Sequence, residues 1–122
     1  MPILDIEIVA PNSTQGLPAN LTQSLADEAA QVFGAQAGTV WVKVRIIPLA
    51  QYAENNEVPG GVYPVFVTVF KPRVLQGSDL EEEIARLTKV IANVLNRSGT
   101  NVHIIYQPDR TGRVAFGGKL TK

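Results

Sequence analysis

Cysteine is absent from the 122-residue chain, and histidine occurs once, at His103. The first absence excludes disulfides, thiolate metal ligands and cysteine nucleophiles. The second leaves no histidine cluster for a metal and makes any hydrolase triad depend on one side chain. Net charge is also missing, because 11 Lys and Arg balance 11 Asp and Glu. That balance argues against bulk electrostatic attraction to nucleic acid or to an anionic membrane. No apolar run approaches the roughly 18 residues of a membrane span. The N-terminus shows neither a basic n-region nor an apolar h-region, so the Asn-x-Ser/Thr triplets at Asn12, Asn20 and Asn96 are read as chance. The expectation is a cytoplasmic protein with no nucleic-acid or membrane partner, no metal and no cofactor. An apolar content of 45% suits a globular fold, and the length suits a single domain over 1–122.

What is present is an internal repeat. Ile3-Leu4-Asp5-Ile6-Glu7-Ile8-Val9 alternates acids with β-branched neighbours and reads as a strand. Pro11, Asn12, Ser13 and Gly16 form a turn cluster. Pro18 suits a first helical position, Leu21, Leu25, Ala29 and Val32 follow at helical spacing, and Gly34 supplies a stop. Val40 to Ile47 reads as a second strand, with Val40, Val42, Val44 and Ile46 on one face.

The order then recurs. Val65 to Phe70 is a strand, Ser78 and Glu81 have capping-box spacing, and Leu80, Ile84, Leu87, Ile91 and Val94 form a helical stripe. That helix should stop at Arg97 to Gly99, and Asn101 to Tyr106 closes as a strand. Glu81-Glu82-Glu83 suits the positive end of the helix. Pro2 and Pro64 stand 62 residues apart, and Val42 and Val102 stand 60 apart. Two strand–helix–strand units, 2–58 and 62–122, joined at Pro59-Gly60-Gly61, account for most of the chain.

Each unit should pair its strands in parallel through a right-handed crossover. The fold class is therefore α+β in two layers: a four-stranded mixed sheet with two helices on one face. Trp41, Lys43, Arg45 and Ile47 then fall on the other face. A mixed face of this kind implies association between copies; an ordinary solvated face is the plainer alternative. Charge is also unevenly spread, with 6 basic and 10 acidic residues in 1–96 and 5 and 1 in 97–122. The cationic end would favour assembly or draw anions, or simply be solvated.

A chain opening Met1-Pro2-Ile3, with a doubled strand–helix–strand unit, Ile46-Ile47-Pro48 and the tail Arg113-Val114-Ala115-Phe116-Gly117-Gly118-Lys119-Leu120, resembles the tautomerase superfamily. That group includes 4-oxalocrotonate tautomerase and the macrophage migration inhibitory factor family. The resemblance covers nearly the whole chain and implies a C-terminal hairpin and a homotrimer. It also implies keto–enol isomerisation of a small 2-keto or enol carboxylic acid, with Pro2 as general base and acid once Met1 is removed. An α-amino group titrates near ~7.7–8.0, and burial or a nearby cation lowers that value by disfavouring its charged form. The neutral amine would take a proton beside a carbonyl and return it elsewhere, its rigid ring holding the lone pair in one direction.

The substrate carboxylate needs a clamp, and the resemblance directs attention to Arg73 and Lys71 after the third strand and to Arg45 and Lys43 on the second. Arginine's planar fork makes Arg73 and Arg45 the better carboxylate partners. Each would otherwise be a solvated strand-end charge. Where the migration inhibitory factor family has a lysine after its first helix, this chain has Ala35-Gln36-Ala37. The family's Tyr-x-Asn pair on the last strand corresponds to His103 and Ile105. His103 would then donate to an enolate oxygen, or serve as a structural histidine. Tyr106 and Phe116 are expected as pocket walls, or as core. Two alternatives stand beside this reading. One is a hydratase- or dehalogenase-like enzyme for unsaturated acids, with Asp109 activating water. The other is a trimeric binding protein that has kept the fold without catalysis.

Overall fold

A computed structural model of the chain describes residues 2–11, 17–56 and 63–122. Met1, Asn12, Ser13 and Gly16 of the turn cluster, and the Pro59-Gly60-Gly61 junction lie outside the described residues. The elements run β1 (Ile3–Ala10), α1 (Leu21–Phe33), β2 (Trp41–Pro48), β3 (Val65–Phe70), α2 (Gly77–Leu95), β4 (Val102–Tyr106), β5 (Ala115–Phe116) and β6 (Lys119–Leu120), with short 3-10 turns at Leu49–Gln51 and Gly99–Asn101. The four long strands form one sheet in the order β2-β1-β3-β4. The outer pairs β1–β2 and β3–β4 are parallel, and the central pair β1–β3 is antiparallel. The sheet is mixed and the two strand–helix–strand units are complete, as the repeat requires. β5 and β6 pair as a small C-terminal hairpin. Among the described residues, no helix is long and apolar enough to cross a membrane.

Both helices cover one face. Leu4, Ile6 and Ile8 of β1 and Val65, Val67 and Val69 of β3 are almost wholly buried against Leu25, Ala29 and Val32 of α1 and Leu87, Ile91 and Leu95 of α2. Val42, Val44 and Ile46 of β2 and Ile104 of β4 pack at the margins of this core, as expected for edge strands covered on one side. On the other face, Lys43 Nζ lies 3.1 Å from Asp5 Oδ1, and Arg45 Nη2 lies 3.4 Å from Glu7 Oε2. Both pairs follow from the register, which sets Lys43 opposite Asp5 and Arg45 opposite Glu7.

Several local expectations shift. α1 begins at Leu21 rather than Pro18, because Asn20 takes a left-handed conformation (φ 58°) that stops the helix from extending backward. Ser78 lies inside α2 and makes no cap; Gln76 holds the cap position without a side-chain bond, and Gly77 turns the chain in at φ 59°. α2 ends earlier than the Arg97–Gly99 stop. Asn96 adopts φ 53°, and Arg97 N–H and Asn96 N–H donate to the carbonyls of Ala92 and Asn93, a Schellman closure. The buried line of α2 is Glu83, Leu87, Ile91 and Leu95, with Leu80, Ile84 and Val94 only half-buried. The helix is thus rotated from the face that apolarity alone marks out.

The repeat itself is displaced by one residue. Core-facing Leu4, Ile6 and Ile8 recur as Val65, Val67 and Val69, an odd number of positions on, so Pro64 does not fall on the face of Pro2. A one-residue shift along a strand moves a side chain to the opposite face.

Two of the C-terminal cations work inside the fold. Arg97 Nη1 donates to Val9 O and Tyr63 O, each at 2.8 Å, and its guanidinium lies 5.9 Å from the Tyr63 ring centroid. Burial pulls its pKa down. Arg110 is 4% exposed and sits 5.0 Å over Phe116. The basic segment 97–122 is therefore less of a free cationic tail than its composition implies. Replacing Arg97 by Met removes both carbonyl partners and should cost about 1–3 kcal/mol. A lower urea midpoint with an unchanged denaturant slope would register it.

Candidate active site

Because β1 and β3 are antiparallel, the start of β1 lies beside the end of β3. Pro2 sits there, buried, with its carbonyl accepting Trp41 N–H at 3.1 Å. The loop after α1 and the loop after β3 converge on the same edge. Pro2, Phe33, Ala35, Gln36, Thr39, Lys71 and Pro72 line a cavity of about 360 Å³. Its walls are mostly apolar, with Lys71 as the ionisable side chain in the lining.

The Lys71 ammonium is held from two sides. Its Nζ lies 2.7 Å from Glu83 Oε1 and 5.2 Å from the centroid of the Phe33 ring, and both side chains of the ion pair are largely buried. The other Glu83 oxygen accepts the Tyr106 hydroxyl at 2.6 Å. Burial first, and the bond to Glu83 second, push the Tyr106 phenol well above its ordinary value near 10, so Tyr106 stays a proton donor to Glu83.

The loop that carries Lys71 is fastened to the segment after β4. Gln107 N–H and Arg110 N–H donate to the carbonyls of Val69 and Lys71, at 3.0 and 3.1 Å. Thr111 Oγ1 donates to Pro72 O at 3.2 Å, and Asp109 Oδ1 accepts Val74 N–H at 2.8 Å. Asp109 is thus engaged in holding a loop.

Of the residues singled out from the sequence, Pro2 and Lys71 share the cavity, and Tyr106 stands behind Lys71 through Glu83. Arg73 is exposed in the same loop, outside the cavity lining. Phe116 packs edge-on against Trp41, with centroids 5.5 Å apart, and Trp41 is the register partner of Ile3; Phe116 therefore flanks the same end of the sheet. Lys43, Arg45 and His103 are on the open face. His103 stacks on Phe66, centroids 5.5 Å apart. Phe66 and Arg45 both pair with Glu7, five residues along β1 from Pro2, or about 17 Å at ~3.4 Å per residue. Within one chain Lys43, Arg45 and His103 lie outside the cavity lining.

Glu83 is the site residue that the sequence reading did not single out. Its acidic neighbours made it look like part of a helix-end cluster. Its position four residues before Leu87 and eight before Ile91, in line with the core stripe, was the available signal. Ala35 and Gln36 line the cavity, and its ammonium comes from Lys71. Among the described residues, no three Asp, Glu or His side chains are grouped as metal ligands would be.

No protein-family model matches the sequence, and no curated protein matches it significantly. Solved structures do match in shape. A fused 4-OT, solved as a wild-type symmetric trimer, has a TM-score of 0.74 at 18% identity, covering 98% of this chain and 94% of its own. Macrophage migration inhibitory factor from Oncomelania hupensis gives 0.76 at 15%, covering 100% and 83%. Pt0534 inactivated by 2-oxo-3-pentynoate gives 0.71 at 15%, covering 98% and 94%. At these identities the likeness is one of fold: the chain shares the fold of the fused 4-OT and macrophage migration inhibitory factor structures.

The Tyr106 phenol keeps its proton in the folded state where the unfolded chain loses it. Its contribution is complete below about pH 10 and is lost as pH rises toward the folded pKa. Alkaline unfolding titrations should show a decline steeper in the wild type than in Tyr106→Phe, by up to about 1 kcal/mol per pH unit.

Proposed function

We propose that the chain is a cytoplasmic tautomerase that isomerises a small 2-keto or enol carboxylic acid, with Pro2 as general base and acid after removal of Met1. Residues 1–122 act as one domain in a homotrimer. The observation that carries this reading is Pro2 in the wall of a cavity that also contains Lys71.

The chemistry needs few parts. The neutral Pro2 amine takes a proton from the carbon beside the carbonyl, and the C–H electron pair moves to the carbonyl oxygen as an enolate. The Lys71 ammonium stabilises that charge through a hydrogen bond made in a partly desolvated site, where it is worth more than in water. The protonated amine returns the proton to a different carbon of the dienolate or to oxygen, and the cycle closes with no net change in the protein. Phe33 and Pro72 exclude water from the reacting carbon. Arg73, exposed in the loop that carries Lys71, clamps the substrate carboxylate.

The open sheet face supports the assembly. It carries Trp41, Ile105 and Phe66 among paired charges, and a neighbouring copy seated on it would bring Lys43, Arg45 or His103 toward a second chain's cavity. For a hydratase-like mechanism Asp109 would have to release Val74 N–H, which weighs against that alternative.

Intact-mass measurement should show a chain lacking Met1. Ketonisation of 2-hydroxymuconate or phenylpyruvate enol, followed in the ultraviolet, should fall by about 10²–10⁴-fold in Pro2→Ala; equal rates in the two proteins would refute Pro2 as the base, and no turnover by the wild type would favour a binding protein. 2-Oxo-3-pentynoate should label Pro2. Sedimentation should give three chain masses, and a monomer at micromolar concentration would refute the trimer.

A further inference from the structure

α2 turns a carboxylate into the core where its own pattern calls for an aliphatic side chain. Glu83 is 7% exposed and continues the line of Leu87, Ile91 and Leu95. Bringing a carboxylate and an ammonium out of water costs several kcal/mol per ion, and well-packed apolar replacements are often neutral or stabilising. Stability therefore gives little reason for a charged pair here. What distinguishes the pair is its address: one member, Lys71, lies in the wall of the Pro2 cavity, and the other lies behind it.

We infer that Glu83 is a positioning residue for the Pro2 cavity: it fixes the Lys71 ammonium against the cavity wall and screens the Pro2 amine from that ammonium's charge. The inference rests on Pro2 being the base. Three elements meet at the device: the loop after β3 supplies Lys71, α2 supplies Glu83, and β4 supplies Tyr106, whose hydroxyl satisfies the second carboxylate oxygen. A lysine side chain carries about 2 kcal/mol of rotamer entropy. Glu83 and the Phe33 ring together remove the freedom that would let the ammonium swing into solvent.

The electrostatic consequence has a definite sign. A bare ammonium beside the amine disfavours the protonated amine and depresses its pKa, and a carboxylate directly behind that ammonium offsets much of the effect. Of the ionisable groups near Pro2, Lys71 is the one in the lining, with Glu83 and Tyr106 behind it. On its far side Glu83 borders a second hollow of about 230 Å³, also lined by Asp79, Glu82 and Arg86. These three face Glu83 across that hollow. The arrangement leaves the amine protonatable near neutrality while keeping a hydrogen-bond donor ready for the enolate oxygen.

The test is an NMR titration of the ¹⁵N-labelled Pro2 amine in the full chain. Glu83→Gln keeps the size and one acceptor oxygen but removes the charge; the Pro2 titration should move down by about one pH unit. Glu83→Asp, which keeps the charge, should stay near the wild type. The double replacement Lys71→Met with Glu83→Leu removes both charges and follows the apolar logic of the helix. It should fold, leave the Pro2 titration within about 0.3 unit of wild type, and lower kcat/KM for the keto acid by at least about tenfold, because the oxygen donor is gone. An unmoved titration in Glu83→Gln would overturn the inference. So would a rise of about one unit in the double variant, the signature of an unscreened lysine; the double variant decides the matter should Glu83→Gln fail to fold. A titrating amine that is indifferent to Glu83 overturns the screening alone, whereas a chain that retains Met1 has no such amine and overturns the proline base along with it.

Discussion

The antiparallel pairing of β1 with β3 is the constraint on which the rest of the molecule depends. Each half supplies a parallel strand pair and a helix, which cannot close a core alone. Joining the halves through their first strands makes one sheet and lets both helices bury a single face. The same pairing decides the geometry of the cavity. Had the two strands run in parallel, the residue before β1 would meet the residue before β3. Because they are opposed, Pro2 meets Lys71, and the loops after α1 and β3 close over the same edge.

Much of this was legible in the sequence because strand alternation and helical spacing are both enforced by burial. The strands, the two helices, the mixed sheet with one covered face and the cation-bearing second face follow from those periodicities. What did not follow shares one cause: short polar residues and buried charges act through partners distant in sequence. Asn20 and Asn96 set helix ends by adopting left-handed backbone, which no apolar pattern registers. Glu83 resembled two neighbouring acids until the fold supplied Lys71 and Tyr106. The correspondence of Pro2 with Pro64 failed because a match of residue type, one position out, opposed the match of faces.

The Pro2 end of the sheet combines features that are individually ordinary. The loop carrying Lys71 is tied by the segment 107–111, in which Asp109 and Thr111 contribute side chains and Arg110 a backbone donor. The ammonium is tied by Glu83, and Glu83 by Tyr106. Each tie restrains the previous one, so the position of a cation at the cavity wall is set by β4 and the segment that follows it, neither of which lines the cavity. Preorganisation of this kind lowers the reorganisation needed when charge develops on a bound oxygen.

The far end of the sheet tells the complementary story. There Arg97 clasps the carbonyls of Tyr63 and Val9. One end of the sheet is thus closed by a guanidinium that bridges two backbone oxygens, while the other is left hollow, with Pro2 and Lys71 in its wall. A single sheet carries a seam at one end and a recess at the other.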